Sequence, residues 1–332
     1  MRIVFMGTGE IALPSLRWLI ESSGHRIVGV YTQPDKPVGR KQVLTPPEVK
    51  VVAEAAGIPV FQPETLRKNP EALTELTALE PDLQVVMAYG QILPRAVIET
   101  PRIACVNLHA SLLPRHRGAS PIQSAIREGD AESGITLMHI VPALDAGDMI
   151  LKHAIPIAGD DTGGSLHDKL AELGPGILAE GLPLLENGTA PRTPQDESLV
   201  TYSPKLGRED GEIDWTRPAG EIARLVRAYE PWPGTTTLFP TEKGPAKLKL
   251  FPPVTLTDPP TDLARDPGSV TAADGALLVR AGDGGVLRFS GELQLEGRKR
   301  LSVAEFLRGQ SLPPLFLSKA VAAERLKIAL RG

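Results

Sequence analysis

The sequence predicts an α/β fold: a doubly wound, mostly parallel, Rossmann-like sheet, followed by a small β sandwich or barrel. Three observations predict it. Short apolar strands alternate with helical stretches through the first 140 or so residues, the pattern of βαβ units and a parallel sheet. A glycine turn, Gly7-Thr8-Gly9, joins the first strand to the first helix. Beyond the polar, turn-rich stretch at 187–198, short β-like runs recur between Gly, Asp and Pro, the spacing of a small sandwich or barrel. A chain of 332 residues is too long for one ordinary core. The expected division is a first domain over 1–189, a linker over 190–206 and a second domain over 207–332.

In order, Arg2 to Met6 reads as a buried strand, Ile11 to Ser22 as a helix with Pro14 in its first turn, and Arg26 to Thr32 as a second strand. Residues 33–47 carry four prolines and the cations Lys36, Arg40 and Lys41, and read as a long irregular loop, either phosphate-contacting or solvated. Glu48 to Ala56 is helical, Pro59 to Phe61 a strand and Asn69 to Glu80 a helix. Leu83 to Met87 is almost wholly apolar, as in a strand covered on both faces. Ile103 to His109 is a strand, Pro121 to Glu128 a short helix and Gly134 to Val141 a strand. One interrupted helix is expected from Asp160 to about Glu186, and another from Glu221 to Tyr229. Later strands are expected near Leu238, Lys247–Phe251, Ser269–Val270, Ala276–Val279, Val286–Phe289 and Gln294–Leu295.

Composition narrows the function. No apolar run reaches the roughly 18 residues that span a bilayer, and the start lacks the regions of a signal peptide, so a cytoplasmic protein with no membrane partner is expected. The single cysteine, Cys105, excludes an intrachain disulfide and a cysteine metal cluster. His109 and His116 are seven apart and do not form a standard zinc spacing; no metal is expected. Net charge is −4, but residues 201–332 hold 19 Lys and Arg against 16 Asp and Glu, while residues 1–200 hold 17 against 24. A basic bias confined to one domain is a footprint for a polyanion or a chance difference. Its densest cluster is Arg298-Lys299-Arg300, which also reads as a solvated turn.

The stretch that carries chemistry is Val106 to Pro121. Asn107 and His109 sit two apart at a strand end, so both project from one face. An amide beside an imidazole can hold a carbonyl oxygen as it gains charge, which suits acyl transfer; the alternative is a strand end making turn contacts. Asp145 lies in a turn between Pro142 and Gly147, where a carboxylate could orient His109 or cap its own backbone; Asp148 competes with it. Gly7, Gly9 and Ala12 spell the dinucleotide fingerprint G-x-G-x-x-A, which suggests an NAD-dependent dehydrogenase. The acid that should end the second strand is absent there: the position reads Tyr31-Thr32-Gln33.

Several ordered blocks together resemble the methionyl-tRNA formyltransferase family, and more broadly the enzymes that use 10-formyltetrahydrofolate. They are VYTQPDKPVGR, GIPVFQP, VVMAYGQILP, VNLHASLLPRHRGASPIQ, LDAGDM, DKLAELG and AYEPWPG, and they cover essentially the whole chain. The first turn departs from the family, reading GTGEIA where a Pro and an aromatic are usual. The resemblance implies that Asn107 and His109 bind the formyl oxygen, and that Asp145 supports His109 and the proton movement. It implies folate contacts at Ser111, Leu112, Leu113 and Pro114, with Gln91, Ile92 and Leu93 near the pterin. Arg40 matches the family position that grips the acceptor end of tRNA; Lys41, Arg298, Lys299 and Arg300 are its expected helpers, and the second domain is implied to be an OB-like β-barrel that helps hold the tRNA. The implied partners are initiator methionyl-tRNA and the folate co-substrate, with the protein a monomer. A sugar-nucleotide or small-amine formyltransferase keeps the chemistry and changes the acceptor.

Overall fold

The computed structural model describes residues 1–39, 41–241 and 244–317. Its contacts group the chain into two units. One comprises Met1–Pro121, Glu132–Pro156 and His167–Pro204; the other comprises Ile122–Ala131, Ile157–Leu166 and the chain from Lys205. The sequence suggested a single cut, whereas this grouping returns to the second unit twice before residue 205.

The first unit begins with β1 (Arg2–Gly7), α1 (Leu13–Glu21) and β2 (Arg26–Tyr31). Next come β3 (Lys36–Val38), β4 (Val43–Thr45), α2 (Glu48–Ala55), β5 (Val60–Phe61) and α3 (Pro70–Ala78). β6 (Leu83–Met87), α4 (Arg95–Ile98), β7 (Ala104–His109) and β8 (Arg117–Gly118) follow. After α5 (Pro121–Glu128) the chain forms β9 (Glu132–His139), β10 (Met149–Pro156), α6 (Gly163–Ala171), α7 (Leu173–Glu186) and β11 (Tyr202–Ser203). The main sheet runs β10-β9-β7-β6-β1-β2-β5. Its five strands from β7 to β5 are parallel, and β9 turns antiparallel against β7. β6 is buried along its whole length, as its apolar sequence requires.

Three local expectations change. The loop at 33–47 contains an antiparallel hairpin, β3–β4, which pairs Lys36 with Thr45 and Val38 with Val43; of the loop's four prolines only Pro37 lies in the ladder, opposite Leu44. β10 was not legible as a strand: it is the sheet's edge, and its burial alternates after Met149-Ile150, so it lacks the continuous apolar run of the inner strands. The helix expected from Asp160 begins only at Gly163, because Asp161 and Thr162 cap it: Asp161 Oδ1 accepts from Ser165 Oγ at 2.7 Å and Thr162 Oγ1 from the Ser165 amide at 3.1 Å.

The second unit contains α8 (Ala219–Ala228), then β12 (Thr235–Thr241), β13 (Gly244–Leu250), β14 (Val254–Thr257), β15 (Val270–Ala273) and β16 (Ala276–Arg280). β17 (Val286–Phe289), β18 (Glu292–Leu295), β19 (Leu301–Ser302) and α9 (Val303–Gly309) complete it. Two antiparallel sheets, β12-β13-β18-β19 and β14-β17-β16-β15, share one core. That core is built on Trp215, which is fully buried against Phe289 and Phe316 and satisfies its indole N–H on Thr237 Oγ1 at 2.9 Å. The early excursions belong here through specific bonds. Arg224 donates to the Arg127 carbonyl at 3.0 Å, Arg227 to the Asp161 carbonyl at 2.7 Å, and the Gly164 amide to the Glu230 carbonyl at 2.9 Å.

Candidate active site

β7 delivers Asn107 and His109 to the carboxyl end of the parallel strands. Buried Leu108 separates them and points to the other face, so the amide and the imidazole share one side. His109 is 6% exposed, and its Nε2 lies 2.9 Å from the His116 carbonyl oxygen. A carbonyl only accepts, so this contact keeps a hydrogen on Nε2 and leaves Nδ1 as the nitrogen whose proton can change. Asp145 Oδ2 stands 3.7 Å from that Nδ1, beyond direct hydrogen-bond length.

Asp145 arrives from an unexpected direction. β9 pairs Thr136 with His109 and His139 with Val106, so the β9–β10 connection leaves the sheet beside Val106 and must turn back to reach His109. Asp145 takes a left-handed backbone, φ 46°, which Asp tolerates better than most residues. Its carboxylate accepts from the Gly118 amide at 2.8 Å. Asp148, the sequence's competitor, pairs instead with Arg192 at 3.7 Å.

The 111–114 segment is tied down from behind. Thr136 Oγ1 donates to the Ser111 carbonyl at 2.7 Å and accepts from the Leu113 amide at 3.1 Å. Lys152 donates to the Leu113 carbonyl, and burial holds its ammonium below the ordinary lysine range. Ser111 Oγ bonds the Arg115 carbonyl at 2.7 Å, and Leu113 is buried with Met138 and Met149, so neither side chain is free to face a ligand. Leu112 and Pro114 are half-buried and remain available. At the end of β6, Gln91 spends its amide on the 63–66 loop, accepting from the Leu66 amide and donating to the Pro63 carbonyl, both at 2.9 Å. Leu93 packs in the core, and Ile92 is left 78% exposed.

Sequence reasoning missed Thr136, Lys152, Arg117, Gln195 and Glu197. Thr136 lies in an apolar run, and only the register reveals that it faces His109. Gln195 and Glu197 fall in the stretch expected to be a linker. There, Met149 and Thr193 exchange backbone bonds, β11 pairs with β8, and Arg117 is buried between Gln195 Oε1 at 2.9 Å and Glu197 Oε1 at 2.8 Å.

The fingerprint turn is closed. The amides of Thr8 and Gly9 both point at the Ala88 carbonyl, at 3.2 and 3.3 Å, so they are spent where a dinucleotide would need them. A Cβ on Gly7 would lie 2.7 Å from Phe5 Cε1 and 3.1 Å from Ala12 Cβ, so this glycine serves close packing. Among the cations, Arg40 lies outside the described residues. Lys41, Arg298 and Lys299 are exposed. Arg300 is engaged: its Nε is 2.6 Å from Glu292, and its guanidinium lies 3.6 Å from the centre of the Phe251 ring. Among the described residues, no group of three or more His, Cys, Asp or Glu could hold a metal ion, and no helix is long and apolar enough to cross a membrane.

The end of β7 and the β9–β10 connection thus bring an amide, an imidazole and a carboxylate to one side of the sheet. Residues 1–182 match the formyl transferase family, and residues 205–311 match the formyl transferase C-terminal domain. Methionyl-tRNA formyltransferases from Akkermansia muciniphila (52% identical, covering 93% of this chain and 96% of the relative) and Geobacter sulfurreducens (45% identical, 95% of each) align over almost the full length. Within the formyl transferases, the chain belongs to the methionyl-tRNA formyltransferase family. Solved sugar N-formyltransferases share the fold. WlaRD, crystallised with dTDP and 5-N-formyl-THF, has a TM-score of 0.62 at 18% identity and covers 90% of this chain and 99% of its own. The Helicobacter canadensis enzyme has a TM-score of 0.63 at 19% identity and covers 87% and 98%.

Proposed function

We propose that this chain transfers the formyl group of 10-formyltetrahydrofolate to the α-amine of methionine carried on initiator tRNA, with Asn107, His109 and Asp145 as the catalytic residues. The observation that carries the reading is the fixed ring of His109, with one nitrogen tied to the His116 carbonyl and the other facing Asp145 across 3.7 Å. Full-length relatives named for this activity support the choice of acceptor.

A folate fits this edge of the sheet. Its flat ring needs apolar walls, and exposed Ile92 with half-buried Leu112 and Pro114 stand on loops that leave the neighbouring parallel strands β6 and β7. The folate supplies an activated formyl carbon. As the methionine amine bonds to that carbon, negative charge gathers on the formyl oxygen, where the Asn107 amide donates. The only movable ring proton of His109 is on Nδ1, so a hydrogen bond from this ring to the oxygen comes from the doubly protonated form. The Asp145 carboxylate then lies on the side where the added charge sits. The amine must lose a proton as the new C–N bond forms, and the folate nitrogen gains one as the old bond breaks. Asp145 is the base nearest that exchange. Losing one such donor costs about 3–4 kcal/mol, or 10²–10³ in rate.

On the tRNA side, Arg40, Lys41, Arg298 and Lys299 are the phosphate-contacting candidates, and Arg300 supports the turn that presents two of them. The test is purified protein with 10-formyltetrahydrofolate and methionine-charged initiator tRNA, scored for N-formylmethionyl product. Uncharged tRNA and a free amino sugar are the controls. Formylation of the sugar with the charged tRNA left untouched would overturn the reading.

A further inference from the structure

We propose that Gln195 is a positioning residue for Asp145, so that the segment around it is part of the active site and not a passive connection. This rests on the formyl-transfer role given to Asp145 above. The Gln195 side chain bridges three groups. Its Nε2 donates to the Asp145 carbonyl at 2.7 Å and to the Gly147 carbonyl at 2.9 Å, and its Oε1 accepts from Arg117 Nε at 2.9 Å. The orientation of the amide is unambiguous: two carbonyls can only accept and a guanidinium can only donate. The bonds to Gly147 and Arg117 are buried and the one to Asp145 is partly buried, with Gln195 9% and Arg117 3% exposed.

The bridge explains how Asp145 is held where it is. The residue sits in a left-handed backbone with φ 46° on a connection that has to turn back to reach His109. Its carboxylate is fixed by the Gly118 amide at 2.8 Å, and its carbonyl by Gln195. Arg117 and Gly118 are neighbours on β8, so one two-residue strand carries both anchors: the guanidinium that orients Gln195 and the amide that orients the carboxylate. β8 is itself aligned by its parallel pairing with β11, from Arg117–Tyr202 to Gly118–Ser203. The 193–203 stretch therefore sets the backbone and, through β8, the side chain of one catalytic group.

The discriminating variant is Gln195→Glu. It keeps the shape and the Arg117 partner but faces two backbone carbonyls with an oxygen that cannot donate. Expected is a fall in kcat of roughly ten- to a hundredfold, the scale of an ångström-size misplacement at a reacting centre, with KM for folate and for charged tRNA within about threefold. Because Gln195 acts through Asp145, the same change made in Asp145→Asn protein lowers single-turnover rate by less than about twofold. A residue that merely stabilises the fold would not show that dependence. Should Gln195→Glu not fold, Gln195→Met is measured in the same two backgrounds. An equal loss in both backgrounds, a KM effect without a kcat effect, or wild-type kcat would overturn the proposal. Wild-type enzyme is run alongside: failure of the wild type to formylate charged tRNA would sink the functional reading itself, whereas a normal wild type with an unaffected Gln195 variant sinks only this inference.

Discussion

Thr136→Val removes one oxygen atom from a fully buried side chain and leaves its shape in place. That oxygen makes two bonds to the 111–113 segment: it donates to the Ser111 carbonyl at 2.7 Å and accepts from the Leu113 amide at 3.1 Å. Val offers neither. Ser111 and Leu113 are 1% and 0% exposed, so solvent cannot take over without the segment moving. Each stranded group costs about 1–3 kcal/mol, so the pair costs about 2–6 kcal/mol if the segment stays, and less if it lifts away. Either response is measurable. Staying lowers the melting of the first unit by about 4–24 °C, at roughly 2–4 °C per kcal/mol for a unit of this size. Lifting displaces Leu112 and Pro114 and raises KM for the folate, while KM for charged tRNA holds. Thr136→Ser keeps the hydroxyl and should recover most of the loss. If Thr136→Val melts within a degree of wild type and binds folate normally, Thr136 is not what orders the segment.

The other predictions read different parts of the site. Asn107→Ala, His109→Ala and Asp145→Ala should each lower kcat by roughly 10²–10³ while tRNA binding, followed by filter retention, survives; near-normal rates in all three would exclude this site. Gly118→Ala should cost both stability and turnover, since its Cβ would fall 2.5 Å from the Ser203 carbonyl at φ 119° and push β8 off β11, taking the Gly118 amide away from Asp145; an active variant with wild-type melting would contradict the role of that pairing. Burial pushes the Cys105 thiol from 9.0 up to about 12. A raised folded-state value means its contribution is complete below pH 9 and is lost as pH climbs toward 12, at about 1.4 kcal/mol per unit. Denaturant midpoints should fall through that window and fall less in Cys105→Ala; tyrosines 31 and 89 are pushed the same way by burial. Lys299→Ala should weaken tRNA affinity and flatten its salt dependence by about one phosphate contact, whereas Arg300→Ala should also destabilise the turn it braces; an unchanged salt slope for Lys299→Ala would remove that residue from the interface.

Much of the parallel core was legible because its signal is local. β1, β2, β6 and β7 are short apolar runs ended by turns, and the i, i+2 spacing of Asn107 and His109 is enough to place both on one face. What was not legible depends on pairing. Edge strand β10 has no run of its own, and Thr136 matters only because register sets it opposite His109. The same holds for 193–203: its turn-rich composition reads as a connector, yet its polar side chains are the partners of Arg117 and of the Asp145 backbone. Composition groups Arg298, Lys299 and Arg300, and sequence cannot show that Arg300 also contacts Glu292 and Phe251.

The position of the site within the sheet follows from the same accounting of backbone groups. In a doubly wound sheet, ligands favour the crevice where strand order reverses, which here lies between β1 and β6. Backbone bonds cross that crevice. Ala88 adopts a left-handed backbone, φ 49°, a conformation that costs a residue with a Cβ about 1–2 kcal/mol. Its carbonyl accepts from both Thr8 and Gly9. Thr8 Oγ1 donates to the Tyr89 carbonyl at 3.0 Å and accepts from the Gln33 backbone amide at 3.1 Å, so the first turn is tied to both neighbouring strand ends. Asn107 and His109 lie instead at the end of β7, where the parallel order ends and β9 runs back. That reversal sends the β9–β10 connection away from His109, so a carboxylate can meet the imidazole only on a long returning loop fixed by Gly118 and Gln195. Two amides of the glycine fingerprint are thus bonded to the Ala88 carbonyl, while the candidate trio gathers beside the end of β7.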